Sequence, residues 1–141
     1  MNIELMKQSL YESKKRAYLR HLAKLKEKCF SVSNNLNYIR FSNRKLNCLR
    51  WHNNESYSHI LKKLDICISL KNSNHDFITE GIFINNSRAD IIDLTDGIIY
   101  EILVSEEEKD FYEKIKKYPN NFKVIKVKVN SEKRATENLN N

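Results

Sequence analysis

Three acidic residues, Glu80, Asp90 and Glu101, stand in or beside strand-like sequence rather than in a charge run, all within TEGIFINNSRADIIDLTDGIIYEILVS. Carboxylates that converge repel one another, and the pair is costly unless it shares a proton or a cation. Hard divalent ions such as Mg2+ take one or two carboxylates, with waters and phosphate oxygens completing the shell. If these acids meet, the chemistry on offer is a metal site. Acids at strand ends are also commonly just solvated, so the elements that carry them decide the matter.

Those elements read as a β-hairpin. ADIIDL and IIYEILV are apolar and β-branched, and TDG between them is a turn signal. Asp96-Gly97 suits a two-residue type I′ loop, in which both central positions need positive φ. That register sets Thr95 opposite Ile98, Ile92 opposite Glu101 and Asp90 opposite Leu103. Asp90, Ile92, Glu101 and Leu103 then share one face. Asp90 and Glu101 become diagonal neighbours, and Ala89, Ile91, Tyr100, Ile102 and Val104 are expected in a core on the other face.

Around the hairpin, ESYSHILKKLDICISLK (55–71) predicts a helix capped by Asn53 or Asn54, with Ile60, Leu61, Leu64, Cys67 and Ile68 as its buried stripe. His59 and Lys63 are four apart and lie on one face. DFITEGIF predicts a strand ending at the NNS turn. Ser105 followed by Glu106, Glu107 and Glu108 fits a capping box, which makes the acidic triplet a helix start. That helix buries Phe111, Ile115 and Tyr118, carries Lys114, Lys116 and Lys117 near its C-terminus, and ends at Pro119; FKVIKVKV is a fourth strand.

The N-terminal third is different in charge. Residues 1–50 hold twelve Lys and Arg against three Asp and Glu, and the remainder is slightly acidic, within a net charge of +7. Residues 3–29 predict an amphipathic helix with Tyr11, Tyr18, Leu22, Leu25 and Cys29 on its apolar stripe. Residues 30–53 read as a loop and two short strands, NYIRF and LNCLRW, around SNRK; the interleaved Arg40, Phe41, Arg44, Lys45, Arg50 and Trp51 suit either stacking and phosphate contacts or a small packed hairpin, and Trp51 is expected in the core of the latter. Lys14, Lys15, Arg16, Arg20, Arg40, Arg44, Lys45, Arg50 and Arg88 are candidates for phosphate contacts. A polyanion partner is expected, nucleic acid first and anionic membrane second.

The 141 residues suit a single core. The domain reading is 1–53 as a basic helix with a hairpin-like extension, 54–130 as the core, and 131–141 as a polar tail. No apolar run has the length of a membrane span, no signal peptide opens the chain, and Cys29, Cys48 and Cys67 read as reduced thiols; an intracellular, cytoplasmic setting is expected. No clustered Cys/His spacing suggests structural zinc, and His21, His52 and His75 read as incidental.

The order helix, strand, strand, strand, helix, strand, with acids at Glu80, Asp90 and Glu101, resembles the PD-(D/E)XK nuclease superfamily. RAD ending at Asp90 matches its first metal-binding motif, and Glu101 to Leu103 occupies the second. ESYSHILKK followed by TE, RAD and YEILVS resembles most the competence-protein CoiA-like branch, over residues 55–129. The resemblance implies an α/β (α+β) fold with a restriction-endonuclease-like core, a four-stranded mixed sheet flanked by helices. It implies a Mg2+ (or Mn2+) dependent endonuclease acting on nucleic acid, DNA favoured over RNA, with Asp90 and Glu101 as metal ligands and Glu80 as a further ligand or water-orienting acid. His59 and Lys63 assist. A homodimer is a further expectation, since nucleases that make two cuts are commonly dimeric. Leu103 stands where the superfamily usually has lysine, and Lys63 is the expected replacement. A nuclease-like fold kept as a catalytically inactive nucleic-acid-binding or regulatory module is the alternative, and a helical protein that binds a partner or membrane through its basic end is the third.

Overall fold

The alternation between Arg88 and Leu103 builds two central strands, β2 (Arg88–Asp93) and β3 (Ile98–Leu103). The structure, a computed structural model, describes residues 2–104 and 108–129, with only the backbone of Glu108. β1 (Phe77–Ile82) pairs antiparallel with β2, and β4 (Lys123–Lys128) lies parallel to β3, giving a mixed sheet in the order β1-β2-β3-β4. Parallel neighbours need a crossover, supplied here by α3 (Glu108–Ile115). Two helices precede the sheet, α1 (Ile3–Leu36) and α2 (Tyr57–Asn72). The fold is α+β, with the expected element order. The proposed capping box at Ser105 and the polar tail at 131–141 lie outside the described residues.

Both faces of the sheet are covered. Ile91 and Ile102 pack with Cys67 and Leu70 of α2 on one side, and Ile78, Ile92 and Ile99 pack with Val32 of α1, Tyr118 and Phe122 on the other. The face that carries the acids is thus not a solvated one. Ala89 breaks the expected grouping: it packs with Ile39 and Phe83 rather than with Ile91. Residues two apart on a regular strand share a face, so the alternation of β2 fails at Asp90. Directly across, between the pairs Thr79↔Ile91 and Gly81↔Ala89, Glu80 has φ 52°, a left-handed conformation that costs a non-glycine residue of order 1 kcal/mol or more.

The hairpin register corrects the two-residue turn. Asp93 pairs with Ile98, Ile92 with Ile99 and Ile91 with Tyr100, so Leu94, Thr95, Asp96 and Gly97 form a four-residue loop. Asp93 Oδ1 accepts the amides of Thr95 (3.0 Å) and Asp96 (3.3 Å), and only Gly97 of the loop has positive φ, 68°. The side-chain turn outweighs the Asp-Gly preference. The slip is by two residues, which preserves the side-chain faces, but Leu103 no longer stands opposite Asp90. It pairs with Lys128 in β4 and is buried.

The N-terminal region differs most from expectation. SVSNNL continues α1 rather than forming a loop, because Val32, Asn35 and Leu36 dock on the sheet; Asn35 Nδ2 donates to the Leu94 carbonyl at 2.6 Å. A helix of 34 residues spans about 51 Å, against about 20 Å for a six-residue strand. Most of α1 therefore overhangs: none of residues 2–31 is buried, and Tyr11, Tyr18, Leu25 and Cys29 are exposed instead of packed.

The short strands expected in 38–51 are absent. Ile39 makes a single bridge to Phe83, Phe41–Asn43 form one 3-10 turn, and the segment runs along the free edge of β1. There Arg40 N–H donates to the Ile82 carbonyl (2.9 Å), Asn47 exchanges bonds with the Phe77 backbone (2.8 and 3.0 Å), and Arg50 N–H donates to Thr79 Oγ1 (2.8 Å). An otherwise unpaired edge is thereby capped, and these residues belong to the sheet body rather than to a hairpin-like extension. Trp51, expected in a core, is 56% exposed. The three cysteines are unpaired, and burial pushes the Cys67 thiol up to about 11. Among the described residues, no helix is long and apolar enough to cross a membrane.

Candidate active site

Four elements bring charged groups to one end of the sheet: the start of β2, the end of β3, the start of α2, and α3 with the turn after it. The registers place Glu80, Asp90 and Glu101 in one row across β1, β2 and β3. Beyond the Ile91↔Tyr100 pair, side chains take over the ladder: Asp90 N–H donates to Glu101 Oε1 (3.2 Å), and Ile102 N–H donates to Asp90 Oδ2 (2.8 Å).

Glu101 is almost wholly buried. Its carboxylate is met by Lys114 Nζ at 2.8 Å on Oε2, and by the Tyr118 hydroxyl and the Asp90 amide on Oε1. Burial and the neighbouring Asp90 charge nevertheless push its pKa up, against Lys114 and Tyr118. Asp90 behaves oppositely. Burial alone would raise it, but His59, Lys114 and the Ile102 amide hold it below the usual carboxylate range. The two acids are pushed apart in acidity, as expected for like charges sharing one place.

His59 reaches Asp90 because of how α2 begins. Ser56 caps the helix, its hydroxyl accepting the His59 amide at 3.1 Å, where Asn53 or Asn54 was expected. His59 Nδ1 then lies 3.1 Å from Glu55 Oε2, and Nε2 lies 3.4 Å from Asp90 Oδ2. Burial opposes its charge, yet the two carboxylates outweigh burial and raise its pKa.

Lys63, one turn further along, is fully buried. Its ammonium donates to Glu55 Oε1 and Glu80 Oε1, both at 2.6 Å, and to the Arg50 carbonyl at 3.0 Å. An ammonium has three N–H groups, and all three are used. Lys63 therefore organises Glu55 and Glu80 and does not reach Asp90 and Glu101, the place expected for it. The lysine against Glu101 is Lys114. The inward face of α2 is accordingly built on His59, Lys63, Cys67 and Leu70, while Leu61, Leu64 and Ile68 of the expected stripe are exposed.

Glu80 does not join Asp90 and Glu101 in one ligand set. It is held by Lys63 and, at 3.3 Å, by Arg88 Nε; burial and Glu55 raise its pKa against Lys63. Among the described residues, the groups of three whose ligand atoms lie within 4.8 Å of one another are His52, Glu55 and Glu80, and His75, Asp93 and Asp96. Of the histidines read as incidental, His52 Nε2 is 3.6 Å from Glu55 Oε1, and His75 Nδ1 is 2.8 Å from Asp93 Oδ2.

A cleft of about 310 Å3 opens over this end, walled by His52, Glu55, His59, Arg88, Asp90 and Lys114. A larger cleft of about 450 Å3 lies near Lys28, Cys67 and Asp76 and contains none of the three acids. Of the three acids, only Asp90 lines the smaller one. Of the basic candidates, Arg88 lines it; Arg40, Arg44, Lys45 and Arg50 lie on the segment capping β1, and Lys14, Lys15, Arg16 and Arg20 on the overhanging part of α1. Glu55, Lys114 and Tyr118 join the site beyond the residues the sequence singles out. Glu55 stands four before His59, a helical spacing present in the sequence, whereas Lys114 reads there as a helix-end cation. No family model, curated protein or solved structure matches the chain.

Proposed function

We propose that this protein is a metal-dependent nuclease of restriction-endonuclease-like architecture, hydrolysing phosphodiester bonds, with DNA favoured over RNA. The observation that carries this reading is the meeting of Asp90 and Glu101 across β2 and β3, with Lys114 against Glu101 and His59 against Asp90. The αβββαβ order and the motifs around Glu55, His59, Lys63, Asp90 and Glu101 support it by resemblance.

The donor set suits a hard cation: Asp90, held ionised, lines a polar cleft with room for water and phosphate oxygens, and Glu101 lies buried across the strand pair from it. Asp90 and Glu101 would hold Mg2+ or Mn2+, which when bound supplies a nucleophilic water and stabilises charge on the phosphate. The chain's own groups do the rest. Lys114 neutralises Glu101 and presents an ammonium to the cleft, as the motif lysine does in relatives; His59 positions the Asp90 carboxylate; Lys63 locks Glu55 and Glu80; Arg88 offers a cation to phosphate.

Leu103, buried at the usual lysine position, favours the second reading, a nuclease-like module that binds nucleic acid without cutting it. A cleavage assay on single-stranded, duplex and branched DNA with Mg2+ or Mn2+ decides between them. Metal-dependent cutting abolished by Asp90→Asn supports the enzyme; binding without cutting supports the module.

A further inference from the structure

The segment capping β1 presents aromatic rings to solvent from a pinned backbone. Phe41 is 86% exposed and Trp51 56%. On either side of Glu80, Arg40 N–H and Asn43 Oδ1 are tied to Ile82 (2.9 and 2.6 Å), and Arg50 N–H to Thr79 Oγ1 (2.8 Å). These anchors lie three strand residues apart, about 10 Å.

Single exposed apolar side chains are ordinary; what distinguishes these is their company. The Arg44 guanidinium lies 5.5 Å from the centroid of the Phe41 ring, and its Nε is held by the Ile39 carbonyl at 3.1 Å. Arg50 precedes Trp51, and its carbonyl is gripped by Lys63, the same ammonium that holds Glu55 and Glu80. The residue after Trp51 is His52, a wall of the cleft that Asp90 lines. Trp51 is thus fixed beside the site, and Phe41 and Arg44 belong to the same segment capping β1, not to the overhang of α1.

We propose that residues 40–52 form a stacking platform for unpaired bases, so that this site takes single-stranded nucleic acid, or the unpaired part of a branched one. Every base has a π-face, and stacking on an aromatic ring is sequence-tolerant; in a duplex those faces are already occupied by neighbouring bases. Arg40, Arg44, Lys45 and Arg50 supply charge for the backbone between the rings. The proposal rests on the nuclease reading for why a strand is led to the cleft, and adds the strandedness of the substrate.

Trp51 is the chain's only tryptophan, so its emission reports the contact directly. The full-length protein is titrated in EDTA with oligo(dT), with a blunt duplex of equal length, and with inorganic polyphosphate. Oligo(dT) quenches the emission, and the other two do not. By anisotropy of a labelled oligo(dT), Phe41→Ala and Trp51→Ala each weaken binding about tenfold, while Trp51→Phe keeps it close to wild type. Both rings are exposed, so thermal denaturation of these variants matches wild type. Equal quenching by duplex or polyphosphate, or alanine variants that bind oligo(dT) like wild type, overturns the platform. Metal-dependent cleavage of duplex without any Trp51 response also overturns it and leaves the nuclease reading standing. Quenching by oligo(dT) with no cutting of any substrate upholds the platform and removes the nuclease.

Discussion

Asp90 Oδ2 accepts the amide of Ile102 at 2.8 Å while Asp90's own amide donates to Glu101 Oε1 at 3.2 Å. Two acidic side chains thus stand where backbone carbonyls would otherwise continue the β2–β3 ladder. Their positions are set by the sheet, and the carboxylates need no long flexible reach to meet. Asp90→Asn keeps the shape and one acceptor but loses the charge. It is expected to lower metal-dependent cleavage about a hundredfold or more, equivalent to a few kcal/mol of lost stabilisation. Calorimetric titration with Mn2+ checks the cause, since metal affinity must fall with activity.

Lys63 carries a different expectation from the one its sequence position suggests. It is fully buried between two carboxylates and a carbonyl, so Lys63→Ala strands buried charge. Removing one partner of such a cluster costs about 3–5 kcal/mol, and the melting temperature should fall by about 10 °C or more. A variant that melts like wild type, with only its rate changed, would contradict this structural role.

Lys114 bears on chemistry and folding together. Its side chain is 41% exposed, but its ammonium meets the buried Glu101 carboxylate, so Lys114→Met is expected to lower cleavage about tenfold or more and the melting temperature by about 4 °C or more, less than Lys63→Ala does. Leu103→Lys does not rescue it. Leu103 is buried and faces Lys128, and a second lysine there places like charges together. Recovery of activity in the double variant would refute the register.

The pH dependence of stability carries the signature of His59. Its pKa is raised above the ordinary 6.5 because Asp90 and Glu55 outweigh burial. A raised folded value means that the contribution is full below 6.5, and it disappears as pH climbs through the folded value. Comparison of wild type with His59→Gln at about pH 6 and about pH 9 should show the stability difference shrinking at the higher pH. A difference that stays constant, or grows, rules the ion pairing out. Asp90 works in the other direction: held low, it adds stability above its ordinary 3.8 that is lost as pH falls through the folded value.

Deleting residues 2–28 tests the overhang of α1. None of them is buried, so the unfolding midpoint of the sheet body, followed by Trp51 emission, should stay within about 2 °C. If their Lys and Arg contact phosphates, each lost contact reduces the salt slope of DNA binding by about 0.7–0.9. An unchanged slope places the contacts elsewhere.

The acids are legible in the sequence because each stands in a strand-like run beside one hairpin turn. The pairing lies two residues from the one that Asp96-Gly97 predicts, yet Asp90 and Glu101 keep their shared end of the sheet. A one-residue error would have separated them. Lys63 and Lys114 were not legible in the same way. Which carboxylate each lysine finds depends on how α2 and α3 lie on the sheet, and residues far apart in the chain decide that. The same holds for α1: SVSNNL has weak helix propensity, and only docking of Val32, Asn35 and Leu36 explains its extension. Propensity is a weak prior against such contacts.

The long first helix also shapes how the molecule should come apart. A solvent-bathed helix gains its order mainly from its own hydrogen bonds and is lost progressively from the free end, in a helix–coil equilibrium rather than in one step. The sheet body, cross-connected through Lys63 and the capped β1 edge, unfolds cooperatively. Far-ultraviolet dichroism should therefore slope downward well before Trp51 emission changes, and amide exchange along α1 should slow steadily from Ile3 toward Val32. Two probes of one chain would report two different meltings.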